Sequence, residues 1–166
     1  AVSGCGSCSL CCTLLKVTMD PPKPARADCA HCAGSGCSIY VDRPEPCRVF
    51  QCVWLYSQST PYALPRDFRP DRSGVVLELN SVANLIVHSK LPGSWKRSAM
   101  LRWLVEKASQ TTVLVEDGEH TVVLNANGQV DLLLPAGVDP ETNNRIYFRA
   151  AEVAAALPEY AGGTRG

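Results

Sequence analysis

TVLVEDGEHTVVLNANGQVDLLL, residues 112–134, decides the fold. Asp117-Gly118 and Asn127-Gly128 each interrupt apolar runs with a hairpin signature, because a two-residue type I′ turn needs positive φ at both central positions. The stretch therefore predicts a three-stranded antiparallel meander. Upstream, PGSWKRSAMLRWLVEKASQ (92–110) predicts a helix over 94–110 with Ser94 as its N-cap. Trp95, Ala99, Trp103, Leu104 and Ala108 recur at helical spacing and supply its packing stripe. VVLEL (75–79) and LIVHS (85–89) read as strands. A last strand near 145–149 and a short Ala-rich helix at 150–157 complete the unit. Residues 73–166 are thus expected to form an α+β domain, a small antiparallel sheet carrying one main helix.

Residues 1–72 are of another kind. All nine cysteines lie within the first 52 residues, and the remaining 114 contain none. This segment is punctuated by proline at PPKP (21–24), RPEP (43–46) and TPYALP (60–65), and its periodic runs are short. It cannot bury enough apolar surface to offset its chain entropy, so it needs cross-links or metal to be ordered. The expectation is an irregular cysteine-rich domain packed on the α+β unit.

The candidate ligands are Cys5, Cys8, Cys11, Cys12, Cys29, Cys32, Cys37, Cys47 and Cys52. Two C-x2-C pairs flank a long spacer, and a C-x2-C turn lets both thiolates face one ion. Disulfides fit poorly. Nine is an odd number, no secretory signal is visible, and adjacent Cys11 and Cys12 pair badly with each other. The C-x2-C-x2-C run superficially resembles bacterial ferredoxins but lacks their x3-C-P continuation. Zinc and iron–sulfur clusters both accept four thiolates, and spacing does not separate them.

Counting favours a polynuclear site. Three tetrahedral ions need about twelve ligand positions, and nine thiolates fill them when six are terminal and three bridge. The expected cofactor is zinc, about three ions on nine cysteines, with iron or an iron–sulfur cluster as the alternative. Three divalent ions and nine thiolates carry a net charge of about −3. Residues 1–73 hold eight Lys/Arg against six Asp/Glu, and Arg43 and Arg48 stand close enough in sequence to donate to sulfur. Tyr40 and Trp54 are expected to pack around the cluster. Gly4 and Gly6 are expected to ease the turn around Cys5.

The ordered pattern CGSCSLCC (5–12), CAHC (29–32), GCSIYVDRPEPCRVFQC (36–52), Trp54-Leu55 and Leu64 to Asp71 resembles the YkgJ-type cysteine-cluster family. That family carries a CxxCxxCC signature, is described as a zinc- or iron-chelating domain, and is mostly bacterial. The resemblance covers about the first 72 residues. It implies that all nine cysteines are cluster residues supported by Arg43, Pro44 and Arg48. It implies no reaction.

Other function classes find little support. Basic and acidic residues balance at 16 each, which argues against a nucleic-acid surface. No apolar run reaches the length of a membrane span. No nucleotide-binding or nucleophile-elbow motif occurs, and no catalytic residues are assigned. His31, between Cys29 and Cys32, is expected beside the cluster rather than as a ligand. His88 and His120 are expected to be structural. Asp67 and Asp71 are expected to pair with Arg66, Arg69 or Arg72. The N-terminus shows no basic stretch and apolar core of a signal peptide, and its first residue, Ala, suits removal of a start residue or leader. A cytoplasmic metal-binding protein is expected, in a structural, protein-interaction or metal-handling role. The alternative is an iron–sulfur protein with a redox or enzyme-accessory role.

Overall fold

The computed structural model describes residues 5–152. Its centre is a six-stranded sheet in simple sequential order. The strands are β1 (Val75–Leu79), β2 (Leu85–Ser89), β3 (Val113–Asp117), β4 (His120–Leu124), β5 (Val130–Val138) and β6 (Arg145–Arg149). The protein is α+β, as the sequence predicts, but the sheet is mixed. β2 and β3 run parallel, Leu85 opposite Val113, while the other four pairs are antiparallel. Parallel neighbours need a crossover connection. The main helix of the molecule supplies it, lying between β2 and β3 in the chain.

Both predicted hairpins form, each with a different turn from the expected one. Asp117 pairs with His120, so the central residues of the first turn are Gly118 and Glu119. Only Gly118 has positive φ, +68°, the pattern of a type II′ turn. In the second, Asn125 N–H donates to the Gln129 carbonyl at 2.8 Å and Gly128 N–H to the Asn125 carbonyl at 2.9 Å. Gly128 alone is left-handed, φ +83°, giving a longer loop that closes on glycine.

The predicted helix over 94–110 is split. Gly93 (φ +80°) leads into a 3-10 turn, Ser94–Lys96, then Arg97 is extended, and α5 runs Ser98–Ala108. Ser94 therefore does not cap an α-helix, and its hydroxyl instead accepts the Leu91 N–H at 3.4 Å. The break turns Trp95 inward. Trp95, Met100 and Leu104 pack with Phe68 on Val75, Leu77, Leu85, Val87, Val113, Val115 and Leu124, the alternate residues of β1 to β4. Trp103 is half-buried, edge-on to Phe68 with ring centroids 5.9 Å apart.

Residues 5–73 contribute no strand to this sheet. They form α1 (Leu10–Leu14), α2 (Glu45–Val49), α3 (Val53–Ser57), a 3-10 turn at Arg66–Phe68 and α4 (Pro70–Ser73). Two anchors hold them. Phe68, Val53, Trp54 and Leu64 join the core beneath α5. Leu10, Leu14 and Leu15 close over Val76 on the opposite face of the sheet. β1 is consequently buried on both sides, with Val75, Val76 and Leu77 at most 1% exposed. Trp54 thus packs on the sheet domain and not around the thiols, its indole N–H donating to the Pro65 carbonyl at 3.1 Å. The predicted Ala-rich helix begins at Ala150, and its continuation past 152 lies outside the described residues, as does Gly4. No helix among the described residues is long and apolar enough to cross a membrane.

Candidate metal centre

The first four cysteines are shaped by two successive turns, Cys8 N–H to Cys5 carbonyl at 3.0 Å and Cys12 N–H to Ser9 carbonyl at 2.9 Å. Gly6 turns the chain with φ +56°. Arg69, more than sixty residues away, clamps this turn by donating to the Cys5 carbonyl at 3.1 Å and to Ser7 Oγ at 3.3 Å. Adjacent residues on a helix diverge by about 100°. Leu10 and Leu14 of α1 point at Val76, which leaves Cys11 and Cys12 to face different neighbours.

The later cysteines are brought back to this turn by the backbone. Cys29 N–H donates to the Cys12 carbonyl at 3.1 Å, and Cys32 N–H to the Cys29 carbonyl at 2.9 Å. Cys32 and Cys37 form an isolated antiparallel bridge. Cys47 sits within α2, and Cys52 caps α3, its sulfur accepting the Leu55 N–H at 3.5 Å. All nine are free thiols of intermediate exposure. Seven of them, all but Cys32 and Cys52, line one groove of about 1270 Å³ between this segment and the sheet.

The thiols act on one another electrically. Cys11 donates a hydrogen bond to the Cys12 sulfur, which pushes Cys11 up and draws Cys12 down to about 6. Cys32, Lys23 and Arg43 also favour the Cys12 thiolate. Burial first, and neighbouring thiols next, hold Cys5 and Cys47 above the ordinary thiol range. Burial also raises Cys52. The Cys12 thiolate is therefore poised, while burial first, and repulsion between neighbouring sulfurs after it, favours the protonated thiols of Cys5, Cys47 and Cys52. A divalent cation removes that repulsion and deprotonates its ligands on binding. The donor set fits soft or borderline metals. Among the described residues, no three His, Cys, Asp or Glu side chains already stand as a closed metal site. Closure around ions requires the thiol side chains to turn inward.

The supporting cations differ from those the spacing suggests. Arg43 is in place, its charge favouring the thiolates of Cys5, Cys12 and Cys47. It is held there by the Tyr40 carbonyl (2.9 Å) and stacks on the Tyr40 ring at 3.8 Å. Tyr40 therefore orients the arginine while remaining 44% exposed, and does not seal the thiols from water. Arg48 is exposed. The cation that sequence reading missed is Lys23. It is only 5% exposed, and its ammonium donates to the carbonyls of Leu15 (2.6 Å), Pro24 (3.0 Å) and Thr13 (3.3 Å). Burial lowers its pKa against the opposing pull of Cys29 and Cys12. A lone lysine in PPKP carries no pattern that would reveal this. Lys23→Met is expected to cost about 1–3 kcal/mol, because it strands buried carbonyls. Urea unfolding checks this, and a change within error would show that water replaces the ammonium there.

The histidines divide. His31 lines the groove beside the thiols, and His120 lines it from the β3–β4 turn. His88 is more than a packing residue, since its Nε2 lies 2.7 Å from Glu78 Oε2 on the groove side of the sheet. Arg72 pairs with Asp67 at 3.3 Å and Arg69 with Asp71 at 3.2 Å, in line with the expected charged turn.

Fold and site together define an α+β protein bearing a polythiol segment over one sheet face. In comparisons with known proteins, no family model, no curated protein and no solved structure matches this chain.

Proposed function

We propose that this chain is a metal-binding protein whose nine cysteines hold a polynuclear zinc–thiolate cluster of about three ions. The observation that carries this reading is the convergence of thiols from separate stretches: Cys29 bonds to Cys12 through the backbone, Cys32 bridges to Cys37, and seven cysteines line one groove, all nine being free thiols. A disulfide scaffold would pair such sulfurs, and a single tetrahedral ion would leave most of them unused. The resemblance to the YkgJ-type cysteine clusters supports the same ligand set. Between a purely structural cluster and one that handles metal, the groove favours handling, because seven of the ligand candidates open onto it.

Elemental and sulfide analysis of protein purified anaerobically from its own host tests the reading. The expected result is about three zinc per chain without inorganic sulfide. One zinc, or iron with sulfide, overturns it, the latter in favour of an iron–sulfur protein. The handling role further predicts that a competing chelator exchanges zinc without unfolding the chain. Loss of zinc that always unfolds the cysteine segment would reduce the role to a structural one.

A further inference from the structure

The sheet face opposite α5 has an unusual composition for a surface covered by another part of the chain. Past the apolar contact at Val76, it interleaves apolar Ile86, Leu114 and Val123 with polar Glu78, His88, Glu116 and Thr121 across β1 to β4. Glu78 and His88 meet there, and His88 stands beside Glu116 in the parallel register of β2 and β3. Glu116 in turn stands beside Thr121. All four line the groove that the thiols line from the other side. Arg26 ties the two sides together by donating to the Glu116 carbonyl at 3.0 Å.

The two carboxylates are not equivalent. Glu116 is engaged at both oxygens, by Tyr147 hydroxyl at 3.1 Å and Thr121 hydroxyl at 2.8 Å, with Arg145 at 3.8 Å. Glu78 and His88 engage each other, the imidazole Nε2 and carboxylate Oε2 lying within hydrogen-bond distance at 2.7 Å. Both are partly shielded, at 18% and 32% side-chain exposure for His88 and Glu78. An imidazole nitrogen beside a carboxylate oxygen is a donor pair for a borderline divalent cation such as zinc. Two protein ligands leave the remaining positions to water. Such a site binds weakly and releases readily, and it falls short of the three-ligand group that is absent among the described residues.

We propose that Glu78 and His88 form an open entry site for divalent cations on the groove floor, from which ions pass to the cysteine thiols above. The inference rests on the metal-handling reading. Binding replaces the contact between the two side chains with bonds from Nε2 and Oε2 to the ion, and water completes the coordination. On transfer, each protonated thiol that becomes a ligand releases its proton to water, and the Glu78–His88 contact re-forms as the ion leaves.

Two measurements on the metal-loaded protein test this. In the first, cobalt(II) is titrated into protein whose thiols are already occupied. One further cobalt per chain is expected, with weak d–d absorption and without sulfur-to-cobalt charge transfer. It should disappear in His88→Gln and in Glu78→Gln and persist in Tyr147→Phe, which alters the floor but spares the pair. In the second, isotopic zinc exchange is followed. Either substitution should slow it about tenfold or more, as for other losses at metal sites, with zinc content and melting temperature unchanged. An absent extra cobalt, an extra cobalt that survives in both variants, or an unchanged exchange rate overturns the proposal. So does faster exchange with a lowered melting temperature, which would mark the pair as packing. Failure of the cluster reading is told apart by the metal and sulfide content of the isolated protein, which the entry-site variants should not alter.

Discussion

Leu104→Ala is expected to destabilise the folded chain by about 3–5 kcal/mol, a large share of the stability of a domain this size. Leu104 is fully buried on the inner side of α5, where it meets Val113, Val115 and Leu124 beneath Trp95 and Phe68. The truncation removes apolar contact and leaves a cavity. The parallel β2 and β3 strands flank it and cannot collapse inward without breaking their register. Leu91→Ala serves as a control, since Leu91 is 63% exposed and should change little. Urea denaturation followed by circular dichroism reads both. A cost under about 1 kcal/mol at Leu104 would mean that α5 does not wedge the core as described. Zinc content should be unaffected, because the thiols lie over the other face of the sheet.

Cys12→Ser is expected to have the largest effect on metal content, removing at least one of about three zinc ions per chain. Cys12 is the sulfur on which the others converge. Cys11 and Cys32 donate to it, Lys23 and Arg43 stabilise its charge, and its carbonyl anchors Cys29 at 3.1 Å. With its pKa drawn to about 6, it offers a thiolate near neutral pH and so can take an ion without first losing a proton. Serine keeps the shape but is a poor ligand for zinc. His31→Gln should retain the full complement, since His31 is not counted among the ligands. Elemental analysis with a free-thiol count distinguishes the two. Three zinc ions in Cys12→Ser would end the nine-cysteine cluster.

The expected effects act on opposite faces of one sheet, and the faces were not equally legible. The core face follows from alternation. Leu85, Val87, Val113, Val115, Leu77 and Leu104 are apolar at the period of their element, and the structure buries them. The parallel β2–β3 pair was less legible, because a helix between two strands permits more than one pairing and the meander suggested only antiparallel ones. The turns shifted for a local reason. Asp-Gly and Asn-Gly mark where the chain reverses, but the strand register chooses which central residue takes positive φ, and here only the glycines do. Ser94 looked like an N-cap because it precedes an apolar stripe. Gly93 and the burial of Trp95 instead favour a 3-10 turn and delay the α-helix to Ser98.

What the sequence determined by itself is chemical. Nine cysteines in 52 residues, followed by a stretch with none, define a thiol-rich segment and an ordinary α+β unit. Hydrophobic periodicity and turn residues are local, so they can be read in order along the chain. What only the tertiary structure decided is which charges and carbonyls meet the sulfurs. Lys23 is caged by the carbonyls of Leu15, Pro24 and Thr13, and Arg69 reaches back to the Cys5 turn. Arg43 is placed and Arg48 is turned outward, though both stand near cysteines in the chain. The pairing of Glu78 with His88 depends on the register of β1 against β2, and its position over the groove depends on α1 docking at Val76. These contacts join residues far apart in sequence, and electrostatics and hydrogen bonding follow distance in space, which no spacing along the chain records.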